Sequence, residues 1–214
     1  MIANFDQSCN YENSVRPGGV VMAFTQTQQA VVDFLVAEPE QEPKPEAVPA
    51  PSHRGWVSTV GRGRKPRADP STVRVRKSRD FGGSELHSVT FSTRDGLSMM
   101  SLLRTLMDEN GSISVYPMGG GGDDVLQRDL PWVNFAAQWT STIFRGGGRV
   151  IGNGADDVRV VRIRFANGTM AEDAVDSGIV LFEVLGPITF PAKIEFIDRG
   201  GVQIHSYTEF HWTG

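Results

Sequence analysis

Cysteine is almost absent from this chain, and so is any long apolar run. Cys9 is the only cysteine in 214 residues, which excludes an intrachain disulfide and a cluster of thiolate metal ligands. No apolar stretch approaches the roughly 20 residues of a membrane-spanning helix, and the stretch MIANFDQSCNYENS lacks the basic start and apolar core of a secretory signal. The composition therefore predicts a protein without membrane contact that stays in a reducing compartment.

Motifs for catalysis are also scarce. The chain has four histidines, no serine lies in a nucleophile elbow, and Cys9 stands far from any histidine in the sequence. The glycine runs 119–122 and 146–148 lack the Walker lysine and do not follow the GxGxxG pattern, so we interpret them as flexible loops. We expect a protein that is not an enzyme.

Two sets of side chains are candidates for metal binding. In the last predicted strand, His205, Tyr207, Glu209 and His211 share one face, and two histidines with a glutamate are zinc ligands. This spacing fits no metal motif, so we expect a polar outer face and no metal site there. Paired acids at 108–109, 123–124, 156–157 and 172–173 are expected to be solvated loop tips, with calcium at subunit interfaces as the alternative. No other cofactor is expected.

The net charge of −4 hides a strongly uneven distribution of charge. Residues 1–52 carry two basic and seven acidic side chains, and residues 80–214 carry ten basic and 17 acidic ones. Between them lie nine basic residues and one acid in residues 53–79, a net charge of +8. We call residues 53–79 the basic segment.

Arginine outnumbers lysine seven to two in the basic segment. So many cations cannot be buried without partners, and the planar guanidinium suits bidentate contact with phosphate. We therefore expect a polyanion-binding arm, with a solvated linker or a nuclear import signal as the alternatives. The candidate nucleic-acid-binding residues are Arg54, Arg62, Arg64, Lys65, Arg67, Arg74, Arg76, Lys77 and Arg79.

The chain divides into three parts by composition. Residues 1–52 form an N-terminal extension in which TQTQQAVVDFLVAEPE predicts a short helix, capped by Thr25 or Thr27 and ended by Pro39. The run EPEQEPKPEAVPAPS after it is typical of an extended linker. The basic segment, residues 53–79, follows, and residues 80–214 form a folded body.

Short strands separated by turn signals dominate the body. Strands are predicted within 71–77, 86–93, 112–117, 158–166, 178–186, 192–198 and 202–212. Two short helices are predicted over 97–110 and, more weakly, over 125–144. We expect an all-β fold, a jelly-roll β-sandwich with two short helices and a mobile N-terminal arm.

An arginine-rich arm that leads into a β-sandwich resembles the coat proteins of small positive-strand RNA plant viruses, such as tombusviruses, sobemoviruses and ourmiaviruses. The resemblance rests on GRGRKPR and VRVRKSR followed by the strands. It implies a capsid protein that self-assembles into a shell, packages single-stranded RNA with its arm, and resides in the virion and in the host cytoplasm or nucleus. The acidic segment ahead of the arm departs from the family's pattern.

Two other functions stay open. Gly61–Arg62–Gly63–Arg64–Lys65–Pro66 resembles an AT-hook, which implies a nuclear DNA-binding accessory protein with a β-rich partner-binding domain. The third alternative is a virion or phage structural protein that binds only protein. Salt dependence separates these classes, because +8 neutralised by RNA phosphates gives a slope of log K on log salt of about −6, and protein binding alone gives a slope near zero.

Overall fold

The computed structural model describes residues 24–37, 67–122 and 128–209. These residues form one α-helix, two 3₁₀ turns at Pro70–Thr72 and Ala155–Asp157, and eleven strands. In chain order the elements are α1 (Gln26–Val36), β1 (Arg74–Asp80), β2 (Glu85–Ser92), β3 (Ser98–Met107), β4 (Ile113–Gly122), β5 (Trp132–Trp139), β6 (Ile143–Ile151), β7 (Val160–Phe165), β8 (Met170–Ala174), β9 (Ile179–Leu185), β10 (Ala192–Ile197) and β11 (Gln203–Glu209). All strand pairs are antiparallel. The all-β prediction is therefore confirmed.

The N-terminal helix is confirmed, and Thr25 is its cap. The Thr25 side chain accepts a hydrogen bond from the Gln28 backbone, while the Gln28 side chain accepts one from the Thr25 backbone. This reciprocal pair satisfies two amides that a helix N-terminus otherwise leaves unbonded. The helix buries Val31 and Leu35 against the sheet that contains β1. The helix therefore docks on the body.

The strands form three sheets that stack in layers. The first sheet has the order β1-β2-β3-β4, the central sheet β5-β6-β9, and the third sheet β11-β10-β7-β8. One apolar cluster lies between α1 and the first sheet, a second between the first and central sheets, and a third between the central and third sheets. The first and central sheets are thus covered on both faces.

The jelly-roll topology is not confirmed. In a jelly roll, strands that are consecutive in the chain lie mostly in opposite sheets. Here the first four strands are neighbours in sequence order, so the first sheet is a meander. Only the return of β9 beside β6 and of β10 beside β7 joins strands that are distant in the chain.

The prediction of two helices in the body is wrong. Residues 98–107 form β3, and residues 132–139 and 143–151 form β5 and β6. In β3, Met100 and Leu102 face the central sheet while Met99 and Leu103 face α1, so both faces of the strand are apolar. A strand buried on both faces loses the polar alternation by which a strand is recognised, and its apolar residues then match helical spacing as well.

The glycine runs are strands, which corrects their interpretation as flexible loops. Gly119–Gly122 belong to β4, and Gly146, Gly147 and Gly148 are buried in β6, the middle strand of the central sheet. A Cβ atom on Gly148 would lie 2.0 Å from the Asn134 carbonyl oxygen, and one on Gly147 would lie 2.5 Å from the Val180 carbonyl oxygen. The close approach of the neighbouring strands therefore requires glycine at these positions.

Candidate nucleic-acid interface

The basic segment enters the folded body beside the end of α1. Arg54, Arg62, Arg64 and Lys65 lie outside the described residues. The described part begins at Arg67, and the next amide, of Ala68, donates a hydrogen bond to the Leu35 carbonyl oxygen at 3.3 Å. The described residues on the two sides of residues 38–66 are therefore joined by a hydrogen bond.

Two of the nine candidate residues form ion pairs with a buried carboxylate of the body. The Lys77 ammonium lies 2.6 Å from Asp173 Oδ2 and donates to the Ala174 carbonyl oxygen at 2.6 Å. Lys77 is 6% exposed, and burial lowers its pKa although Asp173 opposes that effect. The guanidinium of Arg79 donates to Asp173 Oδ1 at 2.7 Å. In this structure the Lys77 ammonium cannot reach a phosphate at the surface, and Arg79 already has a carboxylate partner.

A β-bulge in β1 directs Lys77 inward. Val75 pairs with Val89 and Lys77 pairs with Ser88, so Arg76 is the extra residue of the bulge. Without the extra residue, Val75 and Lys77 would point to the same face of the sheet. Val75 instead packs against α1, whereas Lys77 reaches β8 and the Ile179 carbonyl oxygen of β9.

The remaining described candidates, Arg67, Arg74 and Arg76, lie between the end of α1 and the bulge. Arg74 is half-buried and donates to the carbonyl oxygens of Ser71 and Val73, neutral partners that leave its charge uncompensated. Arg94, which sequence reasoning missed, lies in the turn after β2, where its amide donates to the Arg67 carbonyl oxygen. This edge of the first sheet therefore carries Arg67, Arg74 and Arg94 together with Asp69 and Asp95.

Several cations of the central and third sheets have carboxylate partners of their own. On the third sheet, Arg162 contacts Glu172 at 2.8 Å, and Arg164 and Lys193 approach Glu195 at 3.6 and 3.0 Å. In the central sheet, Arg145 pairs with Glu183. These ion pairs reduce the field that an external anion meets at those side chains, and the carbonyl partners of Arg74 make its edge of the first sheet a candidate surface for an anion.

A buried polar network lies between the first turn of α1 and the first sheet. It consists of Thr27, Gln28, Ser78, Glu85, His87 and Thr105. His87 is fully buried, with Nδ1 2.8 Å from Ser78 Oγ and Nε2 3.0 Å from Thr105 Oγ1. Thr27 donates to Glu85 at 2.6 Å. The network fixes the helix over β2 by polar contacts, in addition to its apolar stripe.

Burial lowers the pKa of His87 from 6.5 to about 4. The His87 side chain therefore takes up a proton near pH 6.5 in the unfolded chain but only near pH 4 in the folded chain. Stability from this group is complete above pH 6.5 and is lost as the pH falls toward 4. We expect unfolding free energy to fall by about 2 kcal/mol between pH 7 and pH 5.

The measurement is urea unfolding at several pH values in wild type and His87→Gln. The variant is expected to lose most of this pH dependence. Burial raises the pKa of Glu85, so protonation of Glu85 acts in the opposite sense and reduces the net loss of stability on acidification. Equal slopes above pH 5 in the two proteins would show that His87 is not the group responsible.

The last strand does not present a polar outer face, which corrects that prediction. Tyr207 stacks on Trp132 with ring centroids 3.9 Å apart, and His205 stacks on Phe196 at 5.7 Å. Both side chains therefore face the core, while Ile204 points outward and is 41% exposed. His211 lies outside the described residues, and within them no three His, Cys, Asp or Glu side chains are grouped to hold a metal ion.

The paired acids divide between turns and the interior. Asp108 accepts hydrogen bonds from the amides of Asn110 and Ser112 in the turn after β3. Glu172 and Asp173 lie in β8, where Asp173 is buried, so this pair is not a solvated loop tip as predicted. Residues 123–127 lie outside the described part.

Comparison with protein-family models, curated proteins and solved structures finds no match to this chain. Along the described ranges, no helix has both the length and the apolar character needed to span a membrane. Function therefore has to be inferred from the chain's own residues.

Proposed function

We propose that this chain is a nucleic-acid-binding structural protein that holds single-stranded RNA through basic residues between 54 and 76. The observation that supports the proposal is the segregation of charge. Residues 53–76 contain seven basic residues against Asp69, a net charge of +6, whereas residues 80–214 carry −7. Guanidinium groups bind phosphates with release of counterions and without reading the bases.

The geometry modifies the arm that the coat-protein resemblance implies. Because the Ala68 amide donates a hydrogen bond to the Leu35 carbonyl oxygen, the described residues on both sides of residues 38–66 lie at the same place on the body. Bound RNA would then lie along the edge formed by Arg67, Arg74 and the turn that carries Arg94. The Pro- and Glu-rich run in the same connection carries four glutamates and would compete with RNA for the arginines.

The more specific form of the proposal is a coat protein whose copies assemble into a shell around RNA, in the virion and in the host cytoplasm or nucleus. Its support is the resemblance in the order of arm and sandwich. Closed particles in negative-stain electron microscopy, with nucleic acid in their absorbance, would favour the shell. Monomeric protein that still binds RNA would support the RNA-binding role without the shell.

The test of RNA binding is a comparison of three labelled ligands by fluorescence anisotropy at one salt concentration: single-stranded RNA of mixed sequence, an A·T-rich DNA duplex and a G·C-rich DNA duplex. We expect the RNA to bind and the two duplexes to bind equally tightly, because the contacts are to phosphates. Preference for the A·T-rich duplex over both RNA and G·C-rich DNA would favour the AT-hook alternative at Arg62 and Arg64. Binding to neither would favour the alternative that only protein is bound.

A further inference from the structure

A row of side chains crosses the first sheet on the face that meets the central sheet. Arg79 pairs with Leu86, Leu86 with Arg104, and Arg104 with Tyr116. On the central sheet, Arg145 of β6 is the register partner of Glu183 of β9, and the two side chains form an ion pair. The charges of Arg145 and Glu183 act on Arg104 across the gap between the sheets.

Two clusters with the same charge composition therefore lie between the sheets. Lys77 and Arg79 share Asp173, and Arg104 and Arg145 lie near Glu183. In the first cluster the carboxylate contacts both cations, and carbonyl oxygens of β8 and β9 accept further hydrogen bonds. Both cations of that cluster therefore have a carboxylate partner.

The second cluster is not complete. Glu183 contacts Arg145 and accepts a hydrogen bond from Ser84 at 3.4 Å. Arg104 Nε is buried without a hydrogen-bond partner among the described residues. Burial and the neighbouring Arg145 both lower the pKa of Arg104. A buried donor without a partner, close to a second cation, is a cost that native proteins seldom retain without a ligand, an ion or water.

The surroundings of Arg104 allow a small anion to enter from solvent. Arg104 itself is half-buried, and the adjacent Tyr116 is 47% exposed. Arg145 is 17% exposed and already oriented by Glu183. Both guanidinium groups lie between the first and central sheets, and a guanidinium can donate paired N–H groups to phosphate oxygens.

We propose that Arg104 and Arg145 form a binding site for a phosphate group at the edge between the first and central sheets. The ligand is inorganic phosphate or the terminal phosphate of a small molecule. A terminal phosphate presents three oxygens to the accessible part of the half-buried Arg104 side chain, whereas a backbone phosphodiester carries a sugar on each side. The site does not depend on RNA binding by the basic segment.

The probe is inorganic phosphate, titrated at constant ionic strength against chloride, with binding followed by calorimetry and by Tm. We expect phosphate to raise the Tm of the wild type, and Arg104→Met to weaken phosphate affinity roughly tenfold or more. Arg199→Met, at an exposed turn, is the matched control and should bind as the wild type does. Equal affinity in all three proteins would overturn the assignment.

Two readouts separate a binding site from a structural arginine. In chloride alone, Arg104→Met should unfold no more easily than the wild type, because the change removes a partly desolvated cation that has no partner at Nε. Glu183→Gln should tighten phosphate binding by about tenfold, because it removes the competing carboxylate. Weaker binding by a folded Glu183→Gln protein would contradict the proposal.

A variant in which Arg62, Arg64 and Lys65 are changed together to glutamine tests whether the basic segment is the source of phosphate binding. This variant should keep its affinity for inorganic phosphate. If an RNA oligonucleotide without terminal phosphates displaces phosphate from the variant, the site takes backbone phosphates and the stated ligand class is wrong.

Discussion

Replacing Asp173 by alanine is expected to lower the free energy of unfolding by about 3–5 kcal/mol, as for other buried ion pairs that lose one partner. Asp173 is the only carboxylate in contact with the Lys77 ammonium among the described residues, and it also accepts the Leu181 amide at 2.6 Å. The alanine variant leaves a buried ammonium with carbonyl oxygens only. Urea unfolding measures the loss.

Glu172→Ala is the matched control, because Glu172 is the neighbouring acid and its ion pair with Arg162 lies at the surface. Its cost should be within about 1 kcal/mol. The double variant Lys77→Met, Asp173→Leu should recover most of the stability lost in Asp173→Ala. If Asp173→Ala costs no more than Glu172→Ala, Lys77 is solvated in solution and becomes a candidate phosphate ligand again.

Changing Arg62, Arg64 and Lys65 together to glutamine is expected to weaken single-stranded RNA binding about 100-fold at 0.1 M salt. Each phosphate contact on a single strand contributes about 0.7 to the salt slope, so three contacts give about two decades between 0.1 and 1 M. The reason is loss of counterion release, which is independent of sequence. Anisotropy titrations of wild type and variant measure the change, and the Tm of both should agree.

The control removes the same charge from the body, by changing Arg128, Arg159 and Arg199 to glutamine. These side chains lie in or beside turns away from the α1 edge of the first sheet, at exposed or half-buried positions. The control should weaken RNA binding far less than the segment variant does. Equal losses would show that net charge alone determines affinity and that the basic segment has no special role.

Local sequence pattern was sufficient for the elements that have one buried face. In β7, Val161, Ile163 and Phe165 are buried while Arg162 and Arg164 face outward, as the alternation predicts. The capped helix α1 is also confirmed. The jelly-roll order failed because strand order depends on contacts between distant segments.

The pairing of charged side chains inside the body could not be predicted from the sequence. Lys77 and Asp173 are 96 residues apart, so no local pattern could pair them. The alternation in STVRVRK places Lys77 on the same face as Val73 and Val75, but the bulge at Arg76 turns Lys77 to the opposite face. Arg104 lies in a segment that was interpreted as a helix, and Arg145 lies between a predicted helix and a glycine run that was interpreted as a flexible loop. Both errors come from strands that are covered on two faces.

The basic segment therefore has two parts with different roles. Lys77 and Arg79 anchor β1 to β8 and β9 through Asp173, and the cations before them are those proposed to meet RNA. Removing Lys77 and Arg79 from the count lowers the charge available for RNA from +8 to +6. The smaller charge lowers the expected dependence of the RNA association constant on salt, which can be measured.

The most direct test is the dependence of the RNA association constant on salt for the full chain. With six net charges on residues 53–76, a plot of log K against log salt should have a slope of about −4. A slope near −6 would mean that Lys77 and Arg79 leave Asp173 to bind phosphate. A slope near zero would contradict the proposal that this chain binds RNA through its basic segment.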